Sequence, residues 1–129
     1  MFSVCRFKEI TGQYPKKITV VSFSFKQRRF EQLHAIAIRW PVDQFHYVGI
    51  DPDASTGFDL QASSEGEQTN SVVPFESDPY GCNSNVLQSK RNERNPFKRT
   101  PPYELTCPDM KHLLKWCGPE LIPKSQVPW

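Results

Sequence analysis

Ser22, Ser24 and Lys26 alternate with two phenylalanines in the run SFSFK, and Arg28 and Arg29 follow within one helical turn. Hydroxyls and cations at a strand-to-helix turn are the parts of an anion or phosphate cradle. The first amides of a helix lack intrahelical acceptors and point at whatever lies before them. Cations there oppose the helix dipole by about 0.3–1 kcal/mol each, so their presence favours a ligand-facing role over a purely structural one. Ordinary capping competes with this reading. Ser24 precedes Gln27 at capping-box spacing, and neither GxGxxG nor a Walker sequence is present.

Asp51, Glu67 and Asp78 offer carboxylates for a ribose hydroxyl, a metal or a proton, although their separation in sequence leaves any pairing open. His34, His46 and His112 are scattered, and His34 stands one step from an apolar helical stripe, where a structural histidine is the ordinary case. Neither Ser22 nor Ser24 has a histidine at a predictable distance. No activated nucleophile is in view, and binding without turnover is expected. The one locally basic run is Lys90 to Arg99, KRNERNPFKR, with Phe97 inside it. A nucleic-acid patch has this composition, but Glu93 and proline interrupt it and a solvated linker is the expectation.

These residues are positioned by two strands and a helix. Ile18 to Phe23 is a nearly unbroken β-branched and aromatic run, the pattern of a parallel strand buried on both faces. The helix that follows carries Phe30, Leu33, Ala37 and Trp40 at helical spacing, with Ile36 beside them. Lys26, Arg28, Gln32 and Arg39 fall on its wet side. Pro41 stops it, and Phe45 to Ile50 supplies a second strand, completing a right-handed βαβ unit. In open α/β sheets ligands sit outside the carboxyl ends of the strands, which is where SFSFK and Asp51 lie. Upstream, Phe2 to Ile10 reads as a helix with Gly12 at its C-cap. Downstream, Ser63 or Ser64 caps a short helix through Glu67 to Phe75, interrupted near Pro74. A last helix starts at Pro108, carries Met110, Leu113, Leu114 and Cys117 on one face, and stops at Gly118-Pro119. The expected organisation is a βαβ core region over 1–76, an irregular Pro-rich connection over 77–105 in which Ser84 to Glu93 is readable as a polar helix, and a C-terminal helix and tail over 106–129.

The chain has 129 residues, 37% of them hydrophobic, and twelve prolines. That is enough for one domain whose core is confined to particular segments. A net charge of +2 gives no global argument for nucleic acid, and no apolar run approaches the length of a membrane span. No secretory leader pattern is present at the N-terminus, and the expected compartment is the cytoplasm. Cys5, Cys82, Cys107 and Cys117 form no CxxC pair and have no histidine at finger spacing. Free thiols are expected rather than a zinc site.

Several segments in one order carry a resemblance: FSVCRFKEITG (Phe2 to Gly12), ITVVSFSFKQRRFEQLH (Ile18 to His34), YVGIDP (Tyr47 to Pro52), GEQTN (Gly66 to Asn70), DPYGC (Asp78 to Cys82), RNPF (Arg94 to Phe97) and CPDMKHLLKWCG (Cys107 to Gly118). With these the sequence resembles the fungal branch of the YdcF/SanA-like family, the domain of unknown function numbered 218. The resemblance implies an α/β fold with a Rossmann-like three-layer parallel sheet, of which this chain would be the incomplete, carboxyl-terminal portion. Bacterial members place a histidine near Phe25, so a role for that histidine does not carry over. At least one bacterial relative resembles an S-adenosylmethionine binder. The expected ligand-binding set is Ser22, Ser24, Lys26, Arg28, Asp51, Glu67 and Asn70, for an anionic, nucleotide-like small molecule. No catalytic residue, metal ligand or cofactor is assigned, and neither a membrane nor a nucleic-acid partner is expected. The alternatives are a non-catalytic interaction module or an inactive truncated remnant, with self-association through an uncovered sheet edge.

Overall fold

A computed structural model describes residues 1–129, with every side chain except that of Ala54. Helix α1 spans Phe2–Thr11 and ends as its glycine predicts: Gly12 takes φ 74° and returns its N–H to the Lys8 carbonyl. Strands β1 (Ile18–Ser22) and β2 (Phe45–Gly49) pair in parallel, with Ile18 opposite Phe45 and Ser22 opposite Gly49. The helix joining them, α2 (residues 24–37), opens with a 3-10 turn, widens into a π-helical segment at Arg29–His34, and closes as an α-turn at Ala35–Ala37. The expected βαβ unit is therefore present.

The three-layer Rossmann-like sheet is not. Among the described residues the sheet has two strands only, which makes this a small mixed α/β fold. The sheet is covered on one side: Ile18, Val20 and Ser22 are half-buried, while Thr19 and Val21 between them are exposed. Val21 is 60% exposed and Val48, its neighbour on β2, 46%. A run of β-branched residues favours a pleated strand whether one face is covered or both. Composition therefore could not distinguish a half-covered pair from the interior of a large sheet.

The core lies elsewhere. Val4 and Cys5 of α1, Ala35 and Ala37 at the end of α2, Trp40 just beyond it, and Tyr80 pack with Cys107, Met110, Leu113 and Ile122 from the C-terminal part. Tyr80 Oη joins two of these pieces, donating to the Ala37 carbonyl at 2.8 Å and accepting from Ile122 N–H at 2.9 Å. Ile36, expected beside the apolar stripe, faces out, and Arg39, expected wet, is half-buried with its Nε on the Ile122 carbonyl at 2.7 Å. The π-helical segment inserts extra backbone per turn and so rotates the end of α2 away from the face that uniform α spacing predicts.

Helix α3 (residues 60–77) is longer than expected and starts earlier. Asp59 caps it by accepting from Ala62 N–H at 2.8 Å, and a second π-helical segment, Gln68–Val72, carries it past Pro74. Helix α4 (Asn85–Glu93) is capped by Ser84. The Asp78 carboxylate accepts from the amides of Cys82, Asn83 and Ser84. These amides offset the penalty of burying the carboxylate and hold its pKa below the usual range. Short helices α5 (Tyr103–Thr106) and α6 (Lys111–Lys115) follow. Cys117 lies beyond α6 and is bonded to Cys82, so two of the four expected free thiols form a disulfide, while Cys5 and Cys107 stay free and buried. No helix among the described residues is long and apolar enough to cross a membrane.

Candidate functional site: a cationic cleft between three helices

Helix α3 packs against both α2 and α4, and the three line a cleft of about 990 Å³. Each contributes residues at helical spacing. Lys26, Arg29, Phe30 and His34 come from α2, Glu67, Ser71 and Phe75 from α3, and Leu87, Lys90 and Arg91 from α4. Arg94, Asn95, Arg99 and Thr100 continue beyond α4, and Ser22 reaches in from the carboxyl end of β1. The π-helical segments of α2 and α3 both supply lining residues, and such segments recur at functional sites.

On the α2 side the charges are bound to one another. Glu67, the single carboxylate of the lining, is 6% exposed and bridges two cations. Its Oε2 accepts from Lys26 Nζ at 2.9 Å and its Oε1 from Arg29 Nε. Burial alone would raise its pKa, but Arg29 and Lys26 outweigh burial and hold it below the ordinary glutamate value. Arg29 Nη1 lies 3.0 Å from His34 Nε2. Since guanidinium only donates, the imidazole accepts there. Burial first, and the Arg29 charge second, push the His34 pKa down to about 4, so the ring is neutral at physiological pH. It stands edge-on to Phe75 at 4.6 Å.

On the α4 side the charges have no carboxylate partners. Arg91 Nη2 donates to the carbonyls of Tyr80 and Gly81 at 3.0 and 2.9 Å, which fixes the guanidinium without neutralising it. Pro74 has no N–H to offer the carbonyl four residues back. That carbonyl, of Asn70, accepts from Lys90 Nζ. Arg99 is returned toward the cleft by a clamp in which the Asn95 side chain donates to the Arg99 carbonyl at 2.8 Å and accepts its N–H at 2.9 Å. Among the described residues none of Lys90, Arg91, Arg94 and Arg99 pairs with an acid.

Of the sequence-derived set, Ser22, Lys26 and Glu67 line this cleft. Asn70 lines a neighbouring depression of about 450 Å³, together with Phe23, Phe25 and Phe58. Ser24 and Asp51 meet each other instead: Asp51 Oδ1 accepts from Ser24 N–H at 3.2 Å. The helix start expected to cradle a phosphate is thus capped by a carboxylate from the adjoining strand end, and Ser24 does not form the expected capping box. Ser24 also presses on β2, since a Cβ at Gly49 would sit 2.5 Å from its Oγ. Arg28 points away from the cleft, to Glu76 and Gln68. The expected ligand-binding set left out Arg29, although it belongs to the cationic run after SFSFK, and also His34, Arg91, Arg94 and Arg99. For Arg91 and Arg94 the signal was the spacing of Leu87, Lys90, Arg91 and Arg94, one face of a helix. Among the described residues no three His, Cys, Asp or Glu side chains are grouped to hold a metal ion.

The chain is 38% identical over 109 residues to the uncharacterized protein YOR238W of Saccharomyces cerevisiae, a match covering 80% of this chain and 36% of that protein. The chain thus spans about a third of the length of the curated relative it matches. No protein-family model matches it. No solved structure matches it.

Proposed function

We propose that this chain binds an anionic, nucleotide-like metabolite in the cleft between α2, α3 and α4, and does so without chemical turnover. One observation carries the reading: six cationic side chains and a single carboxylate line a concave site that also presents Phe30, Phe75 and Leu87. Ligand cavities run to roughly 300–1,000 Å³ and combine apolar surface with a few convergent polar groups. An aromatic and aliphatic lining suits a base, and unpaired guanidinium groups suit phosphate oxygens through short charge-assisted hydrogen bonds. His34 accepts a hydrogen bond from Arg29, and Glu67 is engaged by two cations, so neither is free to activate a nucleophile. Kinship with the YdcF/SanA-like family belongs to the same proposal. Within it the cleft's charge favours a nucleotide over S-adenosylmethionine, whose sulfonium is itself a cation.

Calorimetric titration of ATP and of S-adenosylmethionine tests the reading, with Lys26→Ala inside the cleft and Arg28→Ala outside it. ATP binding weakened by the first and untouched by the second is expected. Loss only in Arg28→Ala would move the site to the outer face of α2, and hydrolysis of ATP by the wild type would overturn the absence of turnover.

A second reading, an interaction module that self-associates, is favoured by the uncovered sheet face at Val21 and Val48. Sedimentation of the wild type and of Val21→Asp tests it: a monomer at all concentrations would reject it.

A further inference from the structure

Resting on that cleft as a nucleotide-like site, we infer that its ligand class is a polyphosphate, a molecule with two or more linked phosphate groups such as a nucleoside triphosphate. The lining holds six cations against one carboxylate, and that carboxylate is already saturated by Lys26 and Arg29. The remaining charges are gathered at one end: Lys90, Arg91 and Arg94 within little more than a turn of helix, and Arg99 from the segment that follows. Like charges at such spacing repel one another. Here three local devices nonetheless hold them in place. Tyr80 and Gly81 carbonyls fix Arg91, the Asn70 carbonyl fixes Lys90, and the Asn95 clamp fixes the backbone that carries Arg99. Every one of those acceptors is a neutral amide oxygen, so the cations are oriented and left charged.

A phosphate monoester carries about −1.5 to −2 at neutral pH. One such group leaves most of the excess uncompensated, whereas a chain of phosphates brings several acceptor oxygens and a larger negative charge to adjacent guanidinium groups. Arg94 is the free member of the set, since its side chain has no hydrogen-bond partner among the described residues, and the Arg99 guanidinium, likewise without a hydrogen bond or ion pair among them, lies over the Phe97 ring at 5.2 Å from its centroid. Neither guanidinium has a hydrogen bond or ion pair among the described residues to break before it closes on a ligand.

The experiment is calorimetric titration of AMP, ADP, ATP and inorganic tripolyphosphate against the full chain and against an Arg94→Ala, Arg99→Ala variant whose melting temperature is checked first. Affinity rising from AMP to ATP by roughly tenfold or more, tripolyphosphate competing with ATP, and a loss of about tenfold or more in the double variant for ATP but not for AMP are expected. Equal affinity for AMP and ATP would overturn the polyphosphate inference while leaving the nucleotide-like site in place. Binding of neither nucleotides nor tripolyphosphate would overturn both. Tripolyphosphate binding as tightly as ATP would keep the inference and remove the nucleotide. A ten-nucleotide single strand binding more tightly than ATP would overturn it in favour of nucleic acid.

Discussion

Replacing Glu67 by glutamine should weaken the fold and strengthen anion binding at once. Glu67 is nearly fully buried, and its partners Lys26 and Arg29 have side chains 26% and 16% exposed, so screening by solvent is partial. A hydrogen bond to a charged group contributes about 1.5–3 kcal/mol, and removing one partner of a buried ion pair costs about 3–5 kcal/mol. Glutamine keeps one oxygen to accept from one cation and turns an amide donor toward the other. The expected loss is therefore about 2–3 kcal/mol, or roughly 10 °C in melting temperature for a domain of this size. The same change removes the only negative charge of the cleft. A unit charge about 8 Å from the ligand contributes about 2 kcal/mol at an effective dielectric of 20, so tripolyphosphate should bind roughly tenfold more tightly or better. The pH dependence has a definite sign. The folded-state pKa of Glu67 lies below its unfolded value, so its stabilisation is present above the unfolded pKa and is lost as pH falls through the folded one. The glutamine variant lacks that acid limb. Scanning calorimetry from pH 7 to pH 3 and titration with tripolyphosphate read both effects. An unchanged melting temperature, or weaker binding in the variant, would refute the reasoning.

His34 should add a second acid-sensitive step at higher pH. With a folded pKa of about 4 against a usual 6.5, its neutral form stabilises the fold fully above pH 6.5, and that stability declines as pH falls toward 4. At pH 5 the loss is about 2 kcal/mol, which urea titrations at pH 7 and 5 will show in the wild type and not in His34→Gln. Reducing the Cys82–Cys117 bridge, whose cysteines are 35 residues apart, should lower stability by about 3–4 kcal/mol on the chain-entropy relation. Melting with and without dithiothreitol measures it, and Cys82→Ser should be insensitive to the reductant. Gly49→Ala drives a methyl group against Ser24 and should cost about 1–3 kcal/mol in a urea titration. The Ser24→Gly background should recover part of that loss.

Sequence alone determined the local elements wherever a single residue type dictates backbone geometry. Gly12 ended α1 because its αL conformation is open to glycine, and the β-branched run at Ile18 and the aromatic-rich run at Phe45 made two strands whose helical connection required parallel pairing. Ser22, Lys26 and Glu67 were picked out by residue type and position, and they do line one cleft; Ser24 and Asp51, picked out on the same grounds, bond to each other instead. What only the tertiary structure decided is which faces meet. Two π-helical segments turned α2 and α3 so that Arg29, His34 and Ser71 look into one space, and a π-segment is set by packing and not by any one residue. Asp51 went to the helix start as a cap because β2 runs parallel to β1 and delivers its end there. The basic run Lys90–Arg99, expected as a solvated linker, supplies four cations to the lining of the cleft because Ser84 and the Asp78 carboxylate start a helix that packs against α3. The number of strands, and hence the absence of a three-layer sheet, rests on contacts between residues distant in sequence, which strand propensity does not encode.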